Sequence, residues 1–393
     1  MRVGDAWYYF HNACSKRKVL EWGRLDELGP SAGPVLKVMV DCWAEGLRVN
    51  RHADDAPLLA PLEHEVDRRE EWLDQPRMEQ AVGMLRALPR PDVHREFDLK
   101  YLEMSLAACL AQGRREVIYT KRKKGRRYAL ARPVQYTDGG GGGGSRVRFL
   151  SMSGCPRRLR LLCQGARCRD YDLWCAVPSI ALQKLEVLAR ENAGLLDPEA
   201  DLAALRLYAG SKESREARLA AMLAVWPEKT RDDAKEHVNK VMNGGAPWAS
   251  PAFPSWADTG VRPGVVARLA RDMRRVRNAI LTGTEIGRTL LALPRKHNAD
   301  DDSHRRTAWS YLTCEWEDEV MCHVVPAIEA RGARVDALIY DGCHAADGGN
   351  SPIDLRAVEA DVLGACGLRI RLEEKPLFGL QDEYLIELAS LLS

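Results

Sequence analysis

The chain has 393 residues, of which 46% are hydrophobic and 29% charged, and its formal net charge is +2. That hydrophobic content is enough for a sizeable core, and the length suits two or three domains or one multi-lobed protein. No apolar run approaches the roughly 20 residues of a membrane-spanning helix, and the first residues contain no apolar signal core, so secretion and membrane insertion are not expected. Eleven cysteines without regular spacing predict a reducing intracellular compartment, nucleus or cytoplasm, rather than a disulfide framework.

Positive charge is concentrated in one part of the chain. Between Arg114 and Asp170 there are sixteen Lys or Arg and three Asp or Glu, an excess of +13, so the rest of the chain carries about −11 (2 − 13). A local basic block in a nearly neutral protein indicates contact with a polyanion. A solvated basic loop is the alternative interpretation of its KRKKGRR portion.

The predicted elements divide the chain into four regions. Residues 1–112, with segments such as HEVDRREEWLDQ and RMEQAVGMLRALPR, predict a helical lobe. Residues 113–185 predict strands in EVIYT, YALARPVQYT and RVRFLSMSG, and the glycine run Gly139–Gly144, natural or engineered, is expected to act as a flexible hairpin tip. Residues 186–305 predict a block of helices, and residues 306–393 a long helix, the strands RVDALIYDG and LRIRLEEKP, and a helical tail. Strands on both sides of a helical block predict an α+β sheet domain with a helical insertion.

Two aspartates, 169 residues apart (341 − 172), each lie at the end of an apolar, strand-like segment. Asp172 lies in RDYDLWCAVPSI, where a strand is expected to turn into a helix, and Asp341 lies in VDALIYDGCHA, directly before Gly342. Alone, a strand that ends in Asp-Gly indicates only a hairpin turn. Together, two distant carboxylates can converge on divalent metal ions, which prefer oxygen ligands.

A helix predicted over TRDDAKEHVNKVM lies between the two aspartates. Arg231 and Lys235 are four residues apart and share one face of this helix, and Thr230 is its predicted N-cap. Paired cations on a rigid helix can hold phosphates, because positioning and charge neutralisation dominate phosphoryl transfer. An exposed helix face with ordinary Asp, Arg and Lys pairs is the alternative.

The order of these motifs resembles the family A polymerases, the right-hand fold of bacterial repair polymerases and single-subunit phage RNA polymerases. A divergent branch from giant viruses and mobile elements is more similar still, with D-I-x-N-x-H-P and D-G at the two aspartates. The similar segments lie within about residues 114–345 and are RRLRLLC at Arg157–Cys163, DLWCAVPS with Asp172, the Arg231–Lys235 helix ending at Asn243-Gly244, and LIYDG with Asp341.

The resemblance implies an antiparallel palm sheet, a helical fingers insertion and an N-terminal, thumb-like helical lobe. It implies a template-directed DNA polymerase that extends a primer 3′ end by two-metal phosphoryl transfer, with a DNA primer-template and nucleoside triphosphates as partners. Asp172 and Asp341 would be the catalytic ligands of two Mg²⁺ ions, for which Mn²⁺ can substitute. The implied substrate-binding residues are Arg231, Lys235, Asn243, Gly244 and Val177. The implied nucleic-acid-binding residues, expected on basic strands, are Arg126, Arg127, Arg157, Arg158 and Arg160.

Three residues depart from the family pattern. Val177 stands where the family's DNA polymerases have a glutamate that screens the sugar 2′ position, Asn243 replaces a tyrosine, and Gly342 replaces a second acid. A primase or RNA polymerase on the same palm is therefore an alternative, and a catalytically silent nucleic-acid-binding subunit is another. The choice between dNTPs and rNTPs, the template and the mode of priming stay open.

Other candidate ligands receive simpler interpretations. Cys155, Cys163, Cys168 and Cys175 contain no CxxC pair and are expected to be free thiols. The loop HNADDDSHRR, from His297, is expected to cap the next helix rather than to bind zinc or manganese. Strand alternation predicts that His344 lies on the sheet face opposite to Asp341.

Overall fold

The computed structural model describes the short strands Arg2–Val3 and Ala6–Trp7 and residues 66–89, 92–109, 113–121, 127–130, 133–137, 145–149, 151–192, 201–244, 264–293, 300–346 and 352–392. Arg126 and the glycine run Gly139–Gly144 lie outside these ranges.

The strands within these ranges are β1 Arg2–Val3, β2 Ala6–Trp7, β3 Val66–Trp72, β4 Arg114–Lys121, β5 Arg127–Leu130, β6 Pro133–Thr137, β7 Ser145–Phe149, β8 Cys168–Leu173, β9 Arg334–Ile339, β10 Gly342–Ala346 and β11 Leu372–Lys375. The helices are α1 Gln75–Ala87, α2 Val93–Ala107, α3 Arg157–Gln164, α4 Ala176–Glu191, α5 Ala203–Gly210, α6 Lys212–Leu223, α7 Arg231–Met242, α8 Gly264–Gly283, α9 Glu285–Leu291, α10 Asp301–Glu329, α11 Leu355–Cys366 and α12 Glu383–Leu392.

A four-stranded sheet in the order β11-β8-β10-β9 carries both aspartates. All three of its strand pairs are antiparallel. The helices α4 to α10 lie between β8 and β9 in the chain, so the strands of this sheet come from both sides of a helical block. The predicted α+β class, with an antiparallel sheet and a helical insertion, is confirmed.

The two faces of this sheet pack against different hydrophobic cores. Tyr171 of β8 and Cys343 of β10 belong to the larger core, which includes side chains of α4 and α10 and of the helices between them. Ala337 and Ile339 of β9 belong to a second core, formed with α1, α2, α3 and α12. The sheet is therefore fixed from both sides, which gives residues at its edge a defined position.

The helix that was predicted between the aspartates forms as expected. Thr230 is the N-cap of α7, and a capping box joins it to Asp233, because each side chain accepts a hydrogen bond from the other residue's backbone N–H. Ala234, Val238 and Val241 lie on its buried face, which packs into the larger core. Arg231 and Lys235 therefore lie on a rigid helix.

Two local predictions were wrong. The segment HEVDRREEW was expected to be helical, but Val66–Trp72 forms β3, which pairs with β4 over seven residues, and the helix α1 begins only after the N-cap Asp74. The basic segment Arg157–Gln164 was expected to be a strand but forms α3, because Leu159, Leu162 and Cys163 recur at helical spacing and fill the second core. In the first segment a partner distant in sequence, β4, decides the conformation, whereas the helical spacing of the second is a local pattern.

A buried ion pair connects β3 to its neighbours. Glu71 and Arg115 are cross-strand neighbours with side chains 0% and 3% exposed, and Arg115 Nε donates to Glu71 Oε2 at 3.1 Å. The other carboxylate oxygen of Glu71 accepts hydrogen bonds from Tyr119 Oη and from the backbone N–H of Met152, both at 2.9 Å. Arg115 Nη1 also donates to Ser105 Oγ of α2 at 2.8 Å. The pair thus joins β3, β4, α2 and the 3₁₀ turn Met152–Gly154, which precedes α3.

We expect Glu71→Gln to lower the free energy of unfolding by about 3–5 kcal/mol, because it leaves the Arg115 guanidinium buried without its counter-charge. The matched control is Glu70→Gln at the adjacent position, whose partner Arg114 lies 2.9 Å away in an exposed pair. This control should cost less than about 1 kcal/mol. Urea unfolding of both variants provides the measurement, and equal losses would contradict a structural role for the buried pair.

Candidate active site

The sheet brings Asp172 and Asp341 to the same end of its two central strands, β8 and β10, and this end is the acidic edge of the sheet. Asp172 is the cross-strand partner of Gly342, and Asp341 lies in the turn directly before Gly342. The backbone N–H of Leu173, next to Asp172, donates to the carbonyl oxygen of Asp341 at 2.9 Å. The two predicted acids are therefore neighbours across the β8–β10 strand pair, although 168 residues separate them in the chain (341 − 172 − 1).

The electrostatics of this edge favour the binding of a cation. Burial raises the pKa of Asp172 to about 7, and the charges of Asp341 and Asp170 act in the same direction, while Lys375 opposes them. Burial also raises the pKa of Asp170, and Asp341 contributes to that rise. Negative charge is thus concentrated at this edge, and a bound positive ion would lower the electrostatic free energy of holding the carboxylates together.

Lys375 is a residue of this site that the sequence pattern did not reveal. Its Nζ donates to Asp172 Oδ2, and the side chains of Lys375 and Asp172 are 38% and 19% exposed. Lys375 ends β11, the strand that pairs with β8 on the side away from β10. The segment LRIRLEEKP predicted a strand, but the identity of its neighbour depends on a pairing across 203 residues.

Asp170 and His344 extend the polar face of the site. His344 was expected on the opposite face, but β10 makes it the cross-strand partner of Asp170, and its Nε2 lies 3.7 Å from Asp170 Oδ1. Alternation counted from Asp341 fails because that residue lies in the turn after Tyr340, whose φ is +54°. Gln164 Nε2 donates to the carbonyl of Trp72, so Gln164 Oε1 accepts from His344 Nδ1. Burial, Arg160 and Lys375 lower the pKa of His344, which is therefore neutral.

Gly342 allows the close approach of the two acids. A Cβ at this position would lie 2.4 Å from the carbonyl oxygen of Tyr171 and 2.8 Å from Asp172 Oδ1. Both contacts are shorter than a Cβ tolerates, and the first is with backbone, which cannot move aside within a paired sheet. The glycine that replaces the second acid of the family pattern is therefore required by the packing of β8 against β10.

The two carboxylates fit Mg²⁺, although the described residues contain no group of three or more His, Cys, Asp or Glu side chains that could hold a metal. Mg²⁺ keeps several waters and is commonly bound by one or two carboxylates together with substrate phosphates. The raised pKa of Asp172 beside Asp341 is the electrostatic state that such an ion would relieve. The acidic edge therefore has the oxygen donors that Mg²⁺ prefers, and Lys375 supplies the positive charge beside Asp172 in this structure.

The two predicted phosphate-binding residues of α7, Arg231 and Lys235, differ in their ion pairs. Arg231 Nε donates to Glu216 Oε2 of α6 at 2.6 Å, so its guanidinium already holds a carboxylate. Lys235 makes no ion pair with any residue that the structure describes. Burial raises the pKa of the Cys175 thiol, and the charges of Arg215 and Lys235 oppose this rise.

The remaining substrate-binding candidates lie around this helix. Asn243 is its C-cap and donates to the carbonyl of Asn239 at 2.9 Å, and Gly244 follows with φ +82°. Val177, in the first turn of α4, is 8% exposed and packs in the larger core. The predicted substrate-binding residue Val177 is therefore a core side chain.

The predicted nucleic-acid-binding arginines also differ from one another. Arg158 forms two hydrogen bonds, of 2.7 and 2.6 Å, to the fully buried Asp98 of α2 and therefore fixes α3 in place. Arg157 is exposed and donates to the carbonyl of Pro376 at 2.8 Å. The charges of Arg157 and Arg160 both act on Asp170, so these two residues flank the acidic edge. Arg127 begins β5, and Arg126 lies outside the described residues.

A cavity of about 490 Å³ lies away from the aspartates, between α8 and the start of α10, and is lined by Arg274, Arg277, Asn278, Asp301, Asp302 and Arg305. A Cβ on Gly244 would lie 3.5 Å from Arg277 Nη1, so the end of α7 borders this cavity. Burial lowers the pKa of Arg277, and the nearby charges of Arg274 and Arg306 lower it further, although Asp302 opposes them.

The loop HNADDDSHRR caps α10 as expected. Asp300 is the N-cap of that helix and accepts a hydrogen bond from the Ser303 backbone N–H at 2.6 Å. Asp301 and Asp302 form ion pairs with Arg305 and Arg277 at 3.0 and 2.6 Å. His297 lies outside the described residues. Asp300 therefore caps α10, and Asp301 and Asp302 pair with arginines.

Within the described part of the chain, every helix is too short or too polar to cross a lipid bilayer. The described cysteines, including Cys155, Cys163, Cys168 and Cys175, are all free.

Comparison with known proteins gives a coarse structural likeness. No protein-family model matches the chain, and no curated protein matches its sequence. Among solved structures it is similar to the polymerase domain of Pol1 from M. smegmatis in complex with DNA primer-template and dNTP, at 13% identity and a TM-score of 0.42. The similarity covers 90% of this chain, and the chain spans 66% of that domain's length.

Proposed function

We propose that the protein is a metal-dependent nucleotidyltransferase that extends a primer 3′ end on a nucleic-acid template, with DNA and dNTPs as its substrates. The observation that carries the proposal is the pairing of Asp172 and Asp341 across β8 and β10, with a pKa of about 7 for Asp172. The burial of Asp172 and the repulsion of Asp341 raise the pKa of Asp172, and strongly perturbed carboxylates of this kind cluster at functional sites.

Each residue has a specific role in this proposal. Asp172 and Asp341 would hold two Mg²⁺ ions, which when bound activate the primer hydroxyl and stabilise the leaving pyrophosphate. Lys235, which has no ion-pair partner among the described residues, would hold the triphosphate. Arg231 would join it by exchanging Glu216 for phosphate, since both partners are anions of similar geometry. Gly244, at the end of α7, lies against Arg277 and Arg306.

The nucleic acid would contact two basic surfaces of the described chain. Arg157 and Arg160 of α3 flank the aspartates and would contact the primer-template backbone near the reacting end. The cavity beside Gly244 is lined by three arginines and two aspartates, and Asp301 and Asp302 pair with Arg305 and Arg277. It would hold a backbone phosphate of the template through Arg274, which has no ion pair to any described residue.

A primase or RNA polymerase is the second candidate, favoured by Val177. Because this side chain packs in the core, the position offers no carboxylate that could screen the sugar 2′ position. Primer extension with dNTPs and rNTPs in separate reactions distinguishes the two candidates, and no metal-dependent incorporation of either would leave a silent nucleic-acid-binding subunit.

Asp341→Asn should reduce primer extension by about 10³-fold while leaving DNA affinity nearly unchanged. A metal ion supplies several kcal/mol of transition-state stabilisation, and each 1.36 kcal/mol is a factor of ten in rate. The matched control is Asp361→Asn on α11, whose carboxylate pairs with Arg331 at 2.7 Å. Extension by Asp341→Asn at the control's rate would exclude Asp341 from catalysis.

Binding of the metal should raise the Tm of the protein even without any substrate. Mg²⁺ at 100 times its dissociation constant should stabilise the wild-type protein by about 2.7 kcal/mol, seen as an increase in Tm. Asp172→Asn should lose most of this increase, because it removes a charged ligand. It should not lower the Tm of the metal-free protein, because it also removes the repulsion between Asp172 and Asp341. An unchanged response to Mg²⁺ in this variant would argue against the metal site.

Arg274→Ala should weaken primer-template binding several-fold and reduce the salt dependence of the affinity by about one unit of slope, because it removes one phosphate contact. The control is Arg356→Ala on α11, an exposed arginine that pairs with Glu359 at 2.9 Å. Fluorescence anisotropy over a range of salt concentrations measures both quantities. Identical slopes for the two variants would contradict a contact between this cavity and the nucleic acid.

A further inference from the structure

Lys375 can reach two carboxylates of the site. Its cross-strand partner on β8 is Asp170, yet its Nζ donates to Asp172, one pleat further along the same face. Long side chains commonly bridge such diagonal positions. The direct partner of Asp172 on β11 is Glu373, which pairs instead with Lys212 of α6 at 2.9 Å. Lys375 is therefore the β11 side chain that supplies positive charge to Asp172.

Lys375 pairs with Asp172 and lies opposite Asp170 in the sheet. Lys375 acts to lower the pKa of both Asp170 and Asp172, so it lies within electrostatic range of the two carboxylates. Asp170 also lies near Arg157 and Arg160, whereas Asp172 receives its direct ion pair from Lys375 and faces the charge of Asp341. A divalent ion on Asp172 would repel the ammonium at contact distance, and Asp170 offers that ammonium a nearby alternative.

We propose that Lys375 is a displaceable counter-ion. In the metal-free protein it occupies the cation position of Asp172, and when a divalent cation binds Asp172 and Asp341 it moves to Asp170. This inference rests on the proposed function, because it assumes that the two aspartates bind metal. Lys375 is then a positioning residue that keeps the acidic edge folded without metal and lowers the affinity for metal in return, since the two cations compete for one carboxylate.

Removal of the lysine should tighten metal binding. Lys375→Met should lower the Tm of the metal-free protein and reduce by about fivefold the MgCl₂ concentration at the midpoint of the Tm increase, which corresponds to one partly buried ion pair of about 1 kcal/mol. The matched control is Lys184→Met, which removes a lysine from a pair with Glu319 at 3.3 Å and should keep the wild-type midpoint. Lys375→Gln, which retains a polar group, serves as a second variant if the methionine variant is poorly folded.

The outcomes separate this inference from the proposed function. Equal midpoints for the wild type and Lys375→Met, together with metal-dependent primer extension by the wild type, would overturn the role of Lys375 and leave the proposed function intact. No stabilisation by Mg²⁺ in either protein, together with no extension, would overturn both.

The role of Asp170 has its own test. Asp170→Asn removes the second carboxylate, so Lys375 would stay on Asp172 and the midpoint should rise several-fold. In the Lys375→Met background the same substitution should have little effect, because no ammonium needs a new partner. A double-mutant cycle on the midpoints measures this coupling. The same change from Asp170→Asn in both backgrounds would overturn the transfer to Asp170.

Discussion

Mutual repulsion between Asp172 and Asp341 is the constraint to which the surrounding structure responds. Two carboxylates at the partly buried edge of a sheet would separate if the backbone allowed it. The register of β8 with β10 and the hydrogen bond from the Leu173 N–H to the Asp341 carbonyl prevent this. The two cores on opposite faces of the sheet fix that register, because a shift of one residue would reverse every side chain. Hydrophobic packing thus holds together groups that electrostatics would push apart.

Backbone geometry at the same edge carries strain. Among the described non-glycine residues, Cys175 and Tyr340 have positive φ values, of 49° and 54°. Each lies within three residues of an aspartate, one after Asp172 and one before Asp341. Left-handed backbone costs free energy for such side chains and persists where the surrounding structure imposes it, commonly at functional sites. Together with Gly342, these two turns direct both chain segments around a single point.

The sequence allowed the prediction of features that depend on local pattern. Periodicity identified the strands that end at Asp172 and Asp341, the helical block between them and the capping of α7 by Thr230. The helical spacing of Leu159 and Leu162 is a signal from which α3 could also have been predicted. Periodicity failed where a distant partner decides: β3 pairs with β4 and buries Glu71 beside Arg115. Lys375 was missed for the same reason, since only strand pairing brings it to Asp172.

The cations around the acidic edge show why the residue types alone did not define their roles. Arg158 was grouped with Arg157 by sequence, yet it is held by the fully buried Asp98, which an anionic substrate cannot easily replace. Arg231 and Lys375 hold the more exposed carboxylates of Glu216 and Asp172, from which a phosphate or a metal ion can displace them at lower cost. Binding at this edge is therefore best understood as an exchange of ion-pair partners. The burial of each carboxylate decides which arginines and lysines can take part.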